Sequence, residues 1–198
     1  MRTVTTAEFW DNEARKFDEK PDHGLLDPTI RAAWTELLLP LIPSPPVRIA
    51  DIGCGTGSLS LLLAEAGHRI TGLDISPEMV DLARKKVRSA GYEADFSVGD
   101  ASNPPWPKGT FDVVLARHVL WAMDDPHLAL TGWLDLLDSD GRLVLVEGCW
   151  WTGVGMSAAD VSELVLRNRC EAEVTALEDA ALWGGPIEDE RFIVVSRR

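Results

Sequence analysis

The chain has 198 residues, 45% of them apolar, with 19 Lys and Arg against 32 Asp and Glu for a formal net charge of −13. That length and apolar share suit one domain with a sizeable core, and no stretch approaches the roughly 20 apolar residues of a membrane span. The acidic balance excludes general affinity for nucleic acid or anionic membrane, which most faces of such a protein repel.

Residues 3–39 read as helical, with a break over 20–24 (Lys-Pro-Asp-His-Gly). In the second part, 28–39, Ile30, Trp34, Leu37 and Leu38 fall near one helical face. Four prolines make 40–46 a connector. Val47, Ile49 and Ile52 then mark a short buried strand, followed by a glycine cluster and an apolar helix over 58–66. A second strand covers 68–74. Ser76 caps a helix with Pro77 at its first position, which runs to 89 and stops at Gly91. Strands follow at 94–98 and 111–116 (FDVVLA), then a helix at 126–137 and a fifth strand at 142–147 (RLVLVE). A helix at 157–169 and strands at 172–177 and 191–196 close the chain. Strands alternating with helices and carrying near-continuous apolar runs mean a parallel sheet covered on both faces. The join between the last two strands carries no helical pattern, which predicts an antiparallel last strand. Arg84-Lys85-Lys86, the longest basic run, reads as the outer face of the helix at 77–89. Cys54, Cys149 and Cys170 are widely spaced without metal-ligand pairs. They predict no metal site and a reducing, cytoplasmic setting, and the N-terminus shows no signal-peptide pattern.

The first strand runs into DIGCGTG at 51–57 and then directly into a helix. A strand, a glycine turn and a helix N-terminus let backbone approach a ligand closely. The dinucleotide fingerprint needs glycines at its first, third and sixth positions. Counted from Gly53, the sixth is Ser58, and the glycine comes fifth, at Gly57. Asp74 ends the second strand, placed to accept from both hydroxyls of a ribose. Asp100-Ala101 follows the third strand, where an Asp can accept from an exocyclic adenine amine and a small neighbour leaves room for the ring.

DIGCGTG, LDIS, VGDA, FDVVLARHVLW and GRLVLVEG, in that order, resemble the class I S-adenosylmethionine-dependent methyltransferases over about residues 47–147. The resemblance implies a Rossmann-like α/β three-layer sandwich with a seven-stranded, mostly parallel sheet, its last strand antiparallel. It implies one domain, with a helical lid over 1–40 and the Rossmann-like core over 47–198. It also implies S-adenosyl-L-methionine as cofactor, with S-adenosyl-L-homocysteine as product. Asp51, Gly53, Gly55 and Gly57 would surround the methionine part, with Cys54 and Thr56 of the same loop and Phe17 of the lid beside it. Asp74 would hold the ribose, Ile75 and Met79 would flank adenine, Asp100 and Ala101 would meet its edge, and the backbone around Arg117 would close the site. The turn Ser139-Asp140-Gly141 departs from the Pro-Gly-Gly common in the family, on the side away from the ligand.

Asn103-Pro104-Pro105-Trp106 resembles the signature of methyltransferases acting on amino groups of nucleobases or glutamine, but it precedes the fourth strand instead of following it. It reads as a stiffened turn with a covering Trp. Arg117-His118-Val119-Leu120-Trp121 occupies the place after that strand. His118 there is either a base taking a proton from the methyl acceptor or a packing residue beside the cofactor, since alignment and desolvation suffice for many such transfers. A base of ordinary imidazole character would give a rate rising with pH near about 6.5. His23, on the lid break, is the second candidate base. Trp10, Trp121, Trp150, Trp151 and Trp183 either wall an apolar acceptor pocket or pack in lid and core. Trp34 and Trp133 read as packing. Glu147, ending the fifth strand, either accepts from a substrate or caps a turn.

The resulting expectation is methyl transfer to oxygen or nitrogen of a small molecule by a monomer or homodimer, with neither nucleic acid nor membrane as partner. The alternatives are a protein or RNA methyltransferase and a non-catalytic S-adenosylmethionine-binding protein. A nicotinamide oxidoreductase is disfavoured by Ser58, and by Phe96 standing where a Lys would follow Tyr92.

Overall fold

The computed structural model describes residues 6–197, built around one seven-stranded sheet. The predicted helix start at 3–5 lies outside the described residues. The strands are β1 (Arg48–Ile52), β2 (Arg69–Asp74), β3 (Asp95–Val98), β4 (Phe111–Arg117), β5 (Leu137–Cys149), β6 (Glu173–Ala176) and β7 (Glu190–Ser196). Their spatial order is 3-2-1-4-5-7-6. β7 runs antiparallel to β5 and β6, and β1 to β5 pair in parallel, as predicted. The order turns back at β1, between β2 and β4, which opens a crevice at the carboxyl ends of the strands.

The helices are α1 (Ala7–Phe17), α2 (Pro21–Gly24), α3 (Pro28–Leu38), α4 (Ser58–Glu65), α5 (Pro77–Ser89), α6 (Pro126–Asp135), α7 (Ala158–Leu166) and α8 (Ala180–Trp183). Successive strand residues point to opposite faces. Ile49, Val113, Leu115, Val144 and Val146 pack with Trp34, Leu38, Leu63 and Trp183 on one face. Ala50, Ile52, Val114, Leu143 and Leu145 pack with Leu130, Trp133, Val161 and Val165 on the other. Both faces are therefore buried, which explains the unbroken apolar runs of β4 and β5.

Four details differ from the sequence reading. β5 is longer than 142–147, because Leu137 already pairs with Phe111 across an irregular register, and α6 ends at Asp135 to release it. The join between β6 and β7 contains a helical turn, α8, whose N-terminus is capped by Asp179 accepting from Ala181. The break at 20–24 is itself the short helix α2. Lys86 does not face outward. Its side chain is 17% exposed and its Nζ donates to Ser58 Oγ at 2.7 Å, Thr56 Oγ1 at 2.9 Å and Asp18.

That inward turn helps fasten α1 to α3 over the carboxyl edge of the sheet. Asp18 pairs with Lys86 at 2.9 Å and accepts from Thr56 Oγ1 at 2.5 Å. Asp11 accepts from Ser76 Oγ at 2.5 Å and from the Glu78 N–H at 3.2 Å, at the start of α5. Ser58 Oγ donates to the Gly24 carbonyl at 3.2 Å, and the Trp34 indole to the Leu182 carbonyl at 2.8 Å.

Candidate active site

The turn after β1 is left-handed at Gly53, Gly55 and Gly57, with φ of 66°, 53° and 77°, a region that side-chain-bearing residues rarely adopt. A Cβ on Gly53 would stand 2.4 Å from Val119 Cγ2, so the turn presses against the loop after β4. Between these loops and the N-terminal helices lies a cavity of about 430 Å³. Gly53, Cys54, Gly55 and Thr56 line it with Asp51, whereas Gly57 does not and packs against Ala83 as the cap of α4. Asp51 Oδ2 accepts from Ser60 Oγ at 2.5 Å, and burial pushes its carboxyl up to about 6. Burial also raises the Cys54 thiol far above its ordinary range, which makes it a poor nucleophile. Phe17 covers Gly55, its ring 3.4 Å from where a Cβ would stand.

At the end of β2, Asp74 Oδ2 accepts the Gly55 N–H at 2.8 Å and Oδ1 accepts the Ser76 N–H at 2.9 Å. A carboxylate has about four acceptor positions, so acceptor capacity remains for a ribose hydroxyl. Burial pushes Asp74 upward, opposed by the N–H groups of Ser76, Gly55 and Ile75. Ile75 and Met79 line the adjacent wall, and Asp100 with Ala101 follows β3. Asp100 Oδ1 accepts the Ser102 N–H at 2.8 Å, and the Trp133 indole holds the Ala101 carbonyl at 2.7 Å. This donor and acceptor set, with glycine backbone at one end and apolar side chains flanking two acids at the other, fits a nucleoside carrying an amino-acid tail. Trp133, read from sequence as packing alone, also fixes one edge of the site.

The opposite end of the cavity is aromatic. His118 has a φ of 58°, and its N–H bonds to the Val146 carbonyl at 2.8 Å. Its ring lies 5.1 Å from Trp150 and 6.2 Å from Trp183. Burial first, then Arg117, Arg191 and His23, hold the imidazole well below its ordinary 6.5. His23 stacks on Phe17 at 4.2 Å, and burial lowers it to about 4 despite Asp22 nearby. Both histidines line the cavity, as do Trp10, Trp121 and Trp150. Arg117 lines it too, but its guanidinium donates to the Asp22 carbonyl at 2.6 Å and stacks 5.0 Å over Trp34.

Besides Gly57, three candidates fall elsewhere. Trp151 is 87% exposed and outside the cavity, since the turn after β5 directs it to solvent. Trp183 is buried, edge-on to Trp34. Glu147 is fully buried behind the cavity wall, its Oε1 accepting the N–H groups of Val119 at 3.0 Å and Leu120 at 2.7 Å. Sequence reasoning missed Lys20, Val119, Met123 and Asp124, which also line the cavity. Only their proximity to His23 and His118 in the chain hinted at them.

The strand order, the glycine turn after β1 and the acids after β2 and β3 define a Rossmann-like α/β protein built to hold a nucleoside cofactor. Residues 50–145 match the family described as a methyltransferase domain. Over this segment the chain is similar to methyltransferases in sequence, and its fold is that of S-adenosylmethionine-dependent methyltransferases. It is 38% identical over 104 residues to a demethylmenaquinone methyltransferase of Thermus thermophilus, covering 52% of this chain and 47% of that one. To a ubiquinone biosynthesis O-methyltransferase of Xanthomonas euvesicatoria pv. vesicatoria it is 32% identical over 141 residues, covering 69% and 54%. The chain thus spans about half the length of the curated relatives it matches. A solved S-adenosylmethionine-dependent methyltransferase from Aquifex aeolicus shares the fold, with a TM-score of 0.72 at 18% identity over 94% of this chain and 97% of that one.

Proposed function

We propose that this protein transfers the methyl group of S-adenosyl-L-methionine to a small molecule, and that Asp74, Asp100, Ile75, Met79 and the 51–56 turn hold the cofactor. The carrying observation is that the ribose-ready Asp74 and the aromatic end with His23 and His118 line one continuous cavity. When bound, the cofactor supplies an electrophilic methyl on a sulfonium centre. Asp74 orients the nucleoside by accepting from its hydroxyls, and the Gly53 and Gly55 backbone admits the tail. Phe17, Trp10 and His23, on the helices before residue 40, act as a lid that excludes water. His118 and His23 present neutral imidazoles, one nitrogen of each able to take a proton. The same helices and the core from residue 47 form one methyltransferase domain in this reading. The three free cysteines agree with a reducing, cytoplasmic setting. A monomer or homodimer belongs to the same reading.

Calorimetry with S-adenosylhomocysteine tests the cofactor site, and labelled-methyl transfer to a metabolite panel, scored by product mass, tests the activity. Tight binding of S-adenosylhomocysteine with no turnover on any metabolite or macromolecule would reduce the protein to a cofactor-binding module.

A further inference from the structure

The acceptor end of the cavity carries a chemical signature of its own. Two aromatic clusters line the cavity. The lid contributes Trp10, Phe17 and His23, with Phe17 stacked on His23 at 4.2 Å and edge-on to Trp10 at 6.3 Å. The core contributes His118, Trp121 and Trp150, with Trp150 edge-on to both of the others at 5.1 and 5.7 Å. Trp150 is itself fixed from behind by Arg191, whose guanidinium lies 4.7 Å from its ring and pairs with Asp189 at 3.0 Å. Ring faces and edges lining one cavity favour a flat, apolar guest.

Charge narrows the choice further. Among the described residues lining this end, Lys20 and Asp124 are charged and exposed at the rim. Arg117 is charged and buried, but the Asp22 carbonyl and the Trp34 face already engage it. Below that rim the carboxylate nearest the imidazoles is Asp22's, which lies 3.5 Å from His23 Nε2 and does not line the cavity, so an ammonium or a carboxylate held between the rings loses hydration that only the rim charges of Asp124 or Lys20 could offset. The polar side-chain groups on offer include two imidazoles. Each Nδ1 is buried without a partner among the described residues, so the nitrogen left for a guest is Nε2, which in His23 also lies 3.5 Å from the Asp22 carboxylate; both rings are neutral at physiological pH. Such a site favours a neutral guest that brings a hydrogen-bond donor.

We infer that the methyl acceptor is an uncharged planar aromatic compound bearing a hydroxyl group, bound between the two aromatic clusters with its O–H directed at the imidazole of His118 or His23. This rests on the methyl-transfer reading above. In the step, the acceptor oxygen bonds to the methyl carbon as the carbon–sulfur bond breaks and its electron pair returns to sulfur. The hydroxyl proton passes to the imidazole, which becomes imidazolium and later returns the proton to water. A weakly basic imidazole suits this only if the hydroxyl is acidic. A phenolic hydroxyl has an ordinary pKa of about 10, whereas an aliphatic one is far less acidic.

The test uses one ring with four functional groups: 2-naphthol, 2-naphthylmethanol, 2-naphthylmethylamine and 2-naphthoic acid. Each is offered with labelled S-adenosylmethionine to the full chain, and each is titrated calorimetrically into the protein saturated with S-adenosylhomocysteine. Methylation of 2-naphthol at least about tenfold faster than of the other three is expected, with 2-naphthol also binding the loaded protein more tightly than the amine or the acid. Trp150→Ala is expected to weaken naphthol binding about tenfold or more while S-adenosylhomocysteine binding stays within a few-fold. Faster transfer to the amine or the acid overturns the acceptor class and leaves the methyltransferase reading standing. Transfer to none of the four, with S-adenosylhomocysteine still bound, also overturns the acceptor class. Failure of S-adenosylhomocysteine to bind overturns the methyltransferase reading and this inference with it.

Discussion

Glu147 Oε1 accepts the backbone N–H of Leu120 at 2.7 Å and so ties the end of β5 to the turn that carries His118. The same oxygen accepts from Val119, and the His118 N–H bonds to the neighbouring Val146 carbonyl. His118 is held left-handed by these three bonds, a conformation that costs a side-chain-bearing residue roughly 1–2 kcal/mol. The strained turn places its ring against Trp150. Glu147 therefore serves the site from behind its wall.

Burial pushes the Glu147 carboxyl from its ordinary 4.5 up to about 8. Between those values the folded protein keeps a proton that the unfolded chain releases. The stability this gives is complete below about 4.5 and is lost as pH rises through about 8. Glu147→Gln keeps an acceptor for both N–H groups and cannot ionise. Melting curves from pH 6.5 to 8 are expected to fall in the wild type and stay level in E147Q. Glu147→Ala leaves two buried donors unpaired, at about 1–3 kcal/mol each, and is expected to lower stability at every pH. A level wild-type curve matching that of E147Q would remove the buried proton from the account.

The histidines shift the other way. His23 is lowered from 6.5 to about 4 by burial, so its contribution is present above 6.5 and lost as pH falls through about 4. For activity, this displaces the expectation of a rate limb near 6.5. The rate is expected to be level across pH 6.5–8, with any acid limb below that range. His118→Ala is expected to lower kcat roughly a hundredfold or more, with cofactor affinity within a few-fold. An acid limb centred near 6.5 that disappears in His118→Ala would show that His118 titrates as an exposed imidazole.

Asp74 accepts the N–H groups of Gly55 and Ser76 and keeps acceptor capacity beyond them. Hydrogen bonds to a charged group contribute roughly 1.5–3 kcal/mol each. Asp74→Ala is expected to weaken S-adenosylhomocysteine binding at least about tenfold, by calorimetry on a protein whose circular dichroism is unchanged. Unaltered affinity in that folded variant would take Asp74 out of the site.

Lys86 joins the end of α1 to the glycine turn through Asp18, Thr56 and Ser58. With Lys86 17% and Asp18 31% exposed, breaking the cluster falls short of a fully buried pair. Lys86→Met is expected to lower stability by about 1–3 kcal/mol and to speed S-adenosylhomocysteine dissociation in stopped-flow measurements. Arg88→Met, on the exposed last turn of α5, is the control and is expected to change neither. Equal behaviour of the two variants would reduce the cluster to a surface contact.

The sheet and the cofactor end were legible in the sequence because local chemistry dictates them. β4 and β5 are buried on both faces, so they read as apolar runs. Gly53, Gly55 and Gly57 are needed where backbone turns left-handed, and Asp74 follows directly from the end of a strand. The acceptor end was legible only as a set of residue types. Trp10, His23, His118 and Trp150 are far apart in the chain, and docking of α1 and α2 brings them together. Trp151 and Trp150 are neighbours with the same side chain, yet the turn after β5 sends one to solvent and the other to the cavity. Lys86 lies in a basic run that reads as surface, and only the approach of Asp18 gives its ammonium a reason to turn inward. Nothing local to Glu147 says that its partners are the amides of Val119 and Leu120, because that pairing is made by the registry of β4 against β5. Periodicity and backbone conformation are encoded within a few residues; contacts between distant side chains exist only once the chain has closed on itself.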